Sequence, residues 1–139
     1  MNIVKFDYSH YGTMVKLWEH YGWKPCAFKA LPRYGLVAET FDSKFIAYVG
    51  MYLEQGKIAF IDWAVVDPDR RLLAGKALLE ILDKLIKHAD EQGCFYIYSA
   101  TKNDVWKKVL QKKGMVLAES QADTFIMSLD GSDNKFFGD

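Results

Sequence analysis

The change of hydrophobic period at Pro68 constrains the fold of this chain more than any other sequence feature. Before it, residues 57–66 (KIAFIDWAVV) form an apolar run of strand length. After it, apolar side chains recur on one helical face, at Leu78, Leu82, Leu85 and Ala89, and Gly93 is predicted to end the helix. Residues 94–100 (CFYIYSA) again favour a strand. This order predicts a right-handed parallel strand-helix-strand crossover.

The first half of the chain predicts an antiparallel meander. Strand-like runs cover residues 36–40, 45–54 and 57–66, and the hairpin-sized links FDSK and QG separate them. Ahead of them, residues 2–7 favour a short strand and residues 10–21 favour a helix.

The last third of the chain predicts one helix and two strands. Residues 104–113 favour a helix with Thr101 or Asn103 as its cap, and Met115 to Glu119 and Thr124 to Leu129 favour strands. The fold class is therefore α/β (α+β), a mixed sheet of six to seven strands with helices on both faces. We expect residues 1–130 to form one domain and residues 131–139 to be a mobile tail.

Charge and composition exclude several classes of function. Lys plus Arg and Asp plus Glu balance at 18 each, so we expect neither nucleic acid nor a membrane as a partner. The N-terminus lacks a signal peptide pattern, and two cysteines without metal-ligand spacing indicate reduced thiols and no metal site. The expected location is cytoplasmic. A catalytic Cys26 stays open, although nothing in the sequence marks a partner base.

The residues after Pro68 favour an anion site. A helix that opens directly after a strand presents unpaired N–H groups and a positive dipole end. Ala74 and Gly75 are small enough to admit phosphate oxygens, while Arg70, Arg71 and Lys76 add positive charge. Cations destabilise a helix N-terminus by a few tenths of a kcal/mol each unless an anion is bound. The alternative is that the three cations are solvated and Gly75 is a helix-packing glycine.

The run WAVVDPDRRLLAGKALLEIL, with the order of elements, resembles the GNAT superfamily of acyl-CoA-dependent N-acyltransferases. The pyrophosphate loop of that family reads Arg or Gln, two residues, Gly, one residue, Gly or Ala. One frame starts at Arg70 and puts Leu73 at the first glycine and Gly75 at the last. The other frame starts at Arg71 and puts Ala74 and Lys76 at the small positions. Each frame therefore loses one small residue.

A second segment is similar to the same family. Asn103, Lys112 and Gly114 stand at the spacing of a later family pattern, which places an acid tyrosine where this chain has Leu110. The resemblance implies acetyl-CoA as cosubstrate. It implies acyl and pantetheine contacts around Ala64, Val65, Val66 and Asn103, and pyrophosphate contacts from Arg70 through Lys76. Lys102, Lys107 and Lys108 are either phosphate contacts or a solvated helix face.

The resemblance implies direct attack of a neutral primary amine on the thioester, which needs a base. Asp62 is the best candidate, because it is the only acid in the apolar run of residues 58–66. A paired structural aspartate is the alternative, and Glu39 is a weaker second choice. Strand alternation predicts Asp62, Ala64 and Val66 on one face, opposite Ile61, Trp63 and Val65.

The acid and the acceptor site are less determined. Leu110 cannot donate a proton, so either the acid is dispensable or Tyr96 or Tyr98 replaces it, although aromatic residues on a strand are more often core. An aromatic set could receive the amine by cation–π contact, or could equally be core or a protein interface; its members are Trp18, Tyr21, Trp23 and Tyr34. The leading expectation is an N-acetyltransferase, monomeric or homodimeric. The alternative is an inactive GNAT-fold CoA-binding or structural protein.

Overall fold

A computed structural model describes residues 1–53, 57–101 and 103–118. The described elements, in chain order, are β1 (Asn2–Lys5), α1 (Tyr8–His20), a 3-10 turn (Phe28–Ala30), β2 (Tyr34–Glu39), β3 (Phe45–Leu53), β4 (Ile58–Val66), a 3-10 turn (Pro68–Arg70), α2 (Arg71–Glu91), β5 (Tyr96–Tyr98) and α3 (Asp104–Lys112). The predicted order of elements up to α3 is confirmed.

The strands form one sheet in the order β1-β2-β3-β4-β5. Neighbouring strands pair antiparallel from β1 to β4, whereas β4 pairs parallel with β5. The long helix α2 connects the two parallel strands, as the change of period predicts. Gly93, at φ +80, follows the helix and turns the chain back toward the sheet.

Helices cover both faces of the sheet, which confirms the predicted layers. On one face, Met14 and Trp18 of α1 pack with Val37, Tyr48 and Val65 of the sheet. On the other face, α2 and α3 form the larger core, whose buried helical residues include Ile81, Leu82, Leu85, Trp106 and Leu110.

The sheet has five strands among the described residues, and not six to seven. The strand predicted at Met115 to Glu119 is wrong for its described part, because that segment completes the end of α3. Gly114 adopts φ +91, and Met115 N donates to Leu110 O at 3.2 Å. Val116 and Leu117 are then exposed. The predicted strand at residues 124–129 and the predicted tail lie outside the described residues.

Candidate active site

The pairing of β4 with β5 ends partway along β4. They pair only from Ile58–Tyr96 to Phe60–Tyr98. Directly beyond that pairing, a side chain takes the place of a backbone partner: Ser99 Oγ donates to Ile61 O at 3.0 Å, and Trp106 Nε1 donates to Ser99 Oγ at 3.3 Å. Residues 62–66 therefore have no strand beside them on the β5 side within the described chain.

The residues expected to contact the acyl group and pantetheine lie along this open edge. Ala64 and Val66 are half-buried, and Val65 is buried. Tyr21 Oη donates to the carbonyl of Val66 at 2.8 Å, so α1 already holds the end of the strand. Whether the open edge contacts a cofactor stays a prediction.

A β-bulge interrupts β4 at this edge. Gly50 pairs with Asp62 and Tyr48 pairs with Val65, so Trp63 and Ala64 together oppose the single residue Val49. Trp63 takes φ +61, an unusual value for a bulky residue. The Asp62 carboxylate accepts from the N–H of Trp63 at 2.7 Å and thereby holds the bulge.

The bulge makes the predicted alternation wrong. Ile61 is buried in the core below α2, and Ala64 and Val66 pack against the same core. Trp63 and Val65 belong to the cluster below α1. The extra residue inverts the period after Asp62. The carboxylate therefore belongs to the α1 face with Trp63 and Val65, and not with Ala64 and Val66.

Asp62 has the electrostatics of a base that is kept from full hydration. The protein around it raises the pKa of the carboxyl above its usual value of 3.8, and the hydrogen bond from Trp63 N partly opposes that shift. The side chain nevertheless remains accessible to solvent. It forms no ion pair with the described residues, but its hydrogen bond from Trp63 N–H gives it a place in the bulge, so the structural role and the role as a base both stay open.

Three further groups lie near Asp62: Cys26, which the sequence leaves open as a catalytic residue, and Tyr48 and Tyr52, which sequence reasoning missed. Desolvation, with a contribution from the Asp62 charge, raises the pKa of Cys26 to about 12. Desolvation likewise raises the pKa of Tyr52 to about 12. Both groups are therefore protonated at neutral pH, and a catalytic Cys26 thiolate is disfavoured.

The two tyrosines differ in how their hydroxyls are satisfied. Tyr52 Oη donates to Ala30 O at 2.8 Å and accepts from Trp63 Nε1 at 2.9 Å. The fully buried Tyr48 Oη has no hydrogen-bond partner among the described residues.

The ring of Tyr48 lies over two glycines. A Cβ on Gly35 would come within 2.7 Å of the ring, and a Cβ on Gly50 within 2.5 Å of its hydroxyl. Because Gly50 pairs with Asp62, these glycines bring the hydroxyl close to the carboxylate. Alternation in β3 gives no hint of this arrangement.

Beyond the open edge, the chain turns into α2 through a cationic segment. Asp67 accepts from Asp69 N at 2.9 Å and lies 3.4 Å from Arg70 Nε, so the charge of Arg70 is partly balanced. Arg71 and Lys76 are exposed and form no ion pair with the described residues. An open depression is lined by Pro68, Asp69, Arg70, Arg71, Leu72 and Leu73.

The first turn of α2 has features that suit an anion-binding site. No side chain caps α2 itself at Arg70, although Asp67 caps the 3-10 turn that leads directly into it. Ala74 is buried toward the core, but a Cβ on Gly75 would meet nothing within 4 Å. Among the described residues nothing packs on Gly75, which disfavours its interpretation as a helix-packing glycine. The exposed Leu73 stands at the open side of the same turn.

The later family segment forms the start of α3. Asn103 is its cap, since Asn103 Oδ1 accepts from Trp106 N at 3.0 Å, and its contact with pantetheine stays a prediction. Leu110 is buried in the α2 core, where its role is packing. Lys107 lies 3.7 Å from Asp104, Lys108 is exposed, and Lys102 lies outside the described residues.

The predicted aromatic set is not one site. Trp18 is buried and Tyr21 stacks on Trp23 with centroids 4.9 Å apart, but Tyr34 stacks on His88 of α2 at 3.9 Å, on the other face. Strand alternation in the short β2 could not show which face Tyr34 takes. Glu39, two strands from β4, lies 3.4 Å from His10 and does not join Asp62.

Tyr96 and Tyr98, by contrast, are exposed rather than core. Both lie on the part of β5 that pairs with β4, opposite Ile58 and Phe60 and before the open edge begins, which disfavours them as the proton donor that Leu110 cannot be. Within the described residues no group of three or more His, Cys, Asp or Glu side chains could hold a metal ion, and no helix is long and apolar enough to cross a membrane.

Comparison with known proteins identifies solved structures that share the fold of this chain. No family model and no curated protein matches the chain. Among solved structures, a probable acetyltransferase matches with a TM-score of 0.72 at 18% identity, covering 92% of this chain and 99% of that one. An aminoglycoside N-acetyltransferase solved in complex with CoA matches with a TM-score of 0.65 at 15% identity, covering 91% and 100%.

Glucosamine-6-phosphate N-acetyltransferase from Arabidopsis thaliana matches with a TM-score of 0.62 at 17% identity, covering 91% of this chain and 98% of that one. At these identities the matches concern the fold alone. The chain has the fold of the GNAT superfamily.

Proposed function

We propose that this GNAT-fold chain is an N-acetyltransferase that moves an acetyl group from acetyl-CoA to a primary amine by direct attack. The observation that carries the proposal is one continuous feature. An open strand edge begins beside the carboxylate of Asp62 and leads to a helix N-terminus that has no cap and has an open glycine.

The chain's residues fit acetyl-CoA as a substrate. Uncapped N–H groups at the start of α2, with Arg71 and Lys76, suit a pyrophosphate. Among the described residues Gly75 has no packing neighbour that explains its place in a helix, whereas a nearby phosphate would explain it. The edge at Ala64 to Val66 offers backbone groups to the pantetheine arm. A neighbour's complex with CoA supports the same substrate.

The reaction needs few groups from the protein. The amine nitrogen forms a bond to the thioester carbonyl carbon, the carbon–sulfur bond breaks, and the thiolate of CoA leaves. Asp62, as carboxylate, takes the proton that the nitrogen loses. Its raised pKa makes it a better proton acceptor than an ordinary aspartate. The leaving thiolate takes its proton from solvent.

Location and partners follow the same proposal. Cys26 and Cys94 are both free thiols, which favours a reducing compartment, the cytoplasm. The partner is an amine; we propose no nucleic acid and no membrane, and a monomer or homodimer.

The test is an assay of thiol release from acetyl-CoA with a panel of primary amines. Asp62→Asn should lower turnover by about 100-fold or more, since lost base catalysis typically costs that factor, while acetyl-CoA affinity is unchanged. Tyr52→Phe serves as a control near Asp62 that keeps the carboxylate. An unchanged rate in Asp62→Asn removes this residue from the chemistry.

A second function is favoured by Leu73 and Leu110. Leu73 places an exposed apolar side chain on the proposed phosphate turn, and Leu110 buries the position of the family acid in the core. A GNAT-fold protein that binds CoA or a partner without catalysis would show micromolar acetyl-CoA binding with no thiol release for any amine.

A further inference from the structure

Two exposed aromatic side chains, Phe60 of β4 and Tyr98 of β5, form a stacked pair that we call the aromatic shelf. They are register partners across the parallel strands, and their ring centroids lie 5.6 Å apart with planes inclined by 24°. Phe60 is 41% exposed and Tyr98 is 47% exposed. Because the two rings shield each other only in part, much of their apolar surface is exposed to water.

The aromatic shelf lies on the same face of the sheet as Asp62. Ala59 and Ile61 are buried in the core below α2, and Ile97 packs against that core. Phe60, Asp62 and Tyr98 alternate with these residues and therefore face the other way. Phe60 and Asp62 are two positions apart on β4, before the bulge inverts the period, so their backbone positions are about 7 Å apart.

The packing of the described residues does not explain the shelf. The helix α1 covers this face over β2, β3 and Val65, and the shelf is not part of that core. Asp62 forms no ion pair with the described residues, so its carboxylate can accept an external cation. A carboxylate next to exposed aromatic faces is complementary to an ammonium group that carries a flat apolar body.

We propose that Asp62 and the aromatic shelf form the acceptor subsite, and that the acceptor is a primary amine with an aromatic or other flat apolar group about two carbons from the nitrogen. This inference rests on the proposed function, because it names the class of amine that the enzyme acetylates. Asp62 receives the amine end and later its proton. Phe60 and Tyr98 hold the flat group.

The test compares kcat/KM for 2-phenylethylamine and propylamine. Burial and stacking of one ring should favour 2-phenylethylamine by at least about tenfold in the wild type. Tyr98→Ala should reduce that preference by about three- to tenfold, and Phe60→Leu, which keeps apolar volume but removes the flat ring, should reduce it similarly. Phe95→Ala is the matched control, since Phe95 is more exposed and lines a depression beside α2.

The alternatives give different results. Equal kcat/KM for the two amines would overturn the aromatic acceptor and leave acetyl transfer standing. A wild-type dimer that Tyr98→Ala dissociates, with the amine preference unchanged, would assign the shelf to a second copy of the chain and overturn the inference. If neither amine is acetylated, saturation-transfer NMR decides. Transfer to the phenyl protons that Tyr98→Ala abolishes supports the subsite without catalysis, and no transfer overturns it.

Discussion

Replacement of Gly75 by alanine should raise the stability of the protein and weaken its binding of acetyl-CoA. Gly75 is the fifth residue of α2, and a Cβ there meets no atom within 4 Å. Glycine inside a helix costs about 0.5–1 kcal/mol relative to alanine, mainly in conformational entropy. With no packing contact to lose, Gly75→Ala should therefore raise the free energy of unfolding by that amount. For a chain of this size the melting temperature should rise by about 1 to 4 °C.

The same methyl should weaken acetyl-CoA binding. A Cβ in a helix points toward the N-terminus and covers the preceding turn. At position 75 that turn carries the uncapped N–H groups of α2. A hydrogen bond to a charged group contributes about 1.5–3 kcal/mol, so losing one should reduce affinity by at least about tenfold.

Gly12 provides the matched control. It is the fifth residue of α1, and a Cβ there also meets nothing within 4 Å. Gly12→Ala should give the same gain in stability with no change in acetyl-CoA affinity. The measurements are urea unfolding and calorimetric titration of both variants. If Gly75→Ala binds acetyl-CoA as tightly as the wild type, the close approach of the phosphate to Gly75 is refuted. If it is less stable than the wild type, the absence of packing on Gly75 is refuted.

Three further variants test the site. Asp62→Asn should be more stable than the wild type at neutral pH. Because the pKa of Asp62 is raised in the native state, its ionisation costs stability as pH rises from about 3.8 through the native pKa. Urea unfolding should show the difference in stability vanish in acid, and a constant difference would contradict the raised pKa. Tyr48→Phe removes a buried hydroxyl that has no partner among the described residues, so it should leave the free energy of unfolding unchanged or raise it by about 1 kcal/mol. Tyr52→Phe loses two hydrogen bonds and should lower the free energy of unfolding by about 1–3 kcal/mol. A loss in Tyr48→Phe would indicate a partner. Leu110→Tyr should lower stability by about 1–3 kcal/mol through overpacking without faster thiol release, and a faster rate would show that the site lacks an acid.

The order of elements was predictable because each depends on local residues. The periods of residues 57–93 determine the strand and α2, and Gly93 and Gly114 end their helices at positive φ as expected of glycine. Asn103 caps α3 through its own side chain. These signals need no information from distant parts of the chain.

The arrangement around Asp62 depends on contacts that the local pattern does not contain. The bulge at Trp63 reverses the faces of β4, and the side chain that holds it is an aspartate whose sequence context suggests only a base. The hydroxyl of Tyr48 lies near Asp62 because Gly35 and Gly50, on two different strands, leave space for the tyrosine ring. Sequence reasoning found the carboxylate but not its neighbours.

Calorimetric titration with acetyl-CoA of the wild type and Gly75→Glu tests the central claim most directly. The wild type should bind acetyl-CoA with micromolar affinity. Gly75→Glu should not bind it, because the substitution adds bulk and negative charge where the pyrophosphate is proposed to bind. No binding by the wild type at millimolar acetyl-CoA, or equal binding by the two proteins, would contradict it.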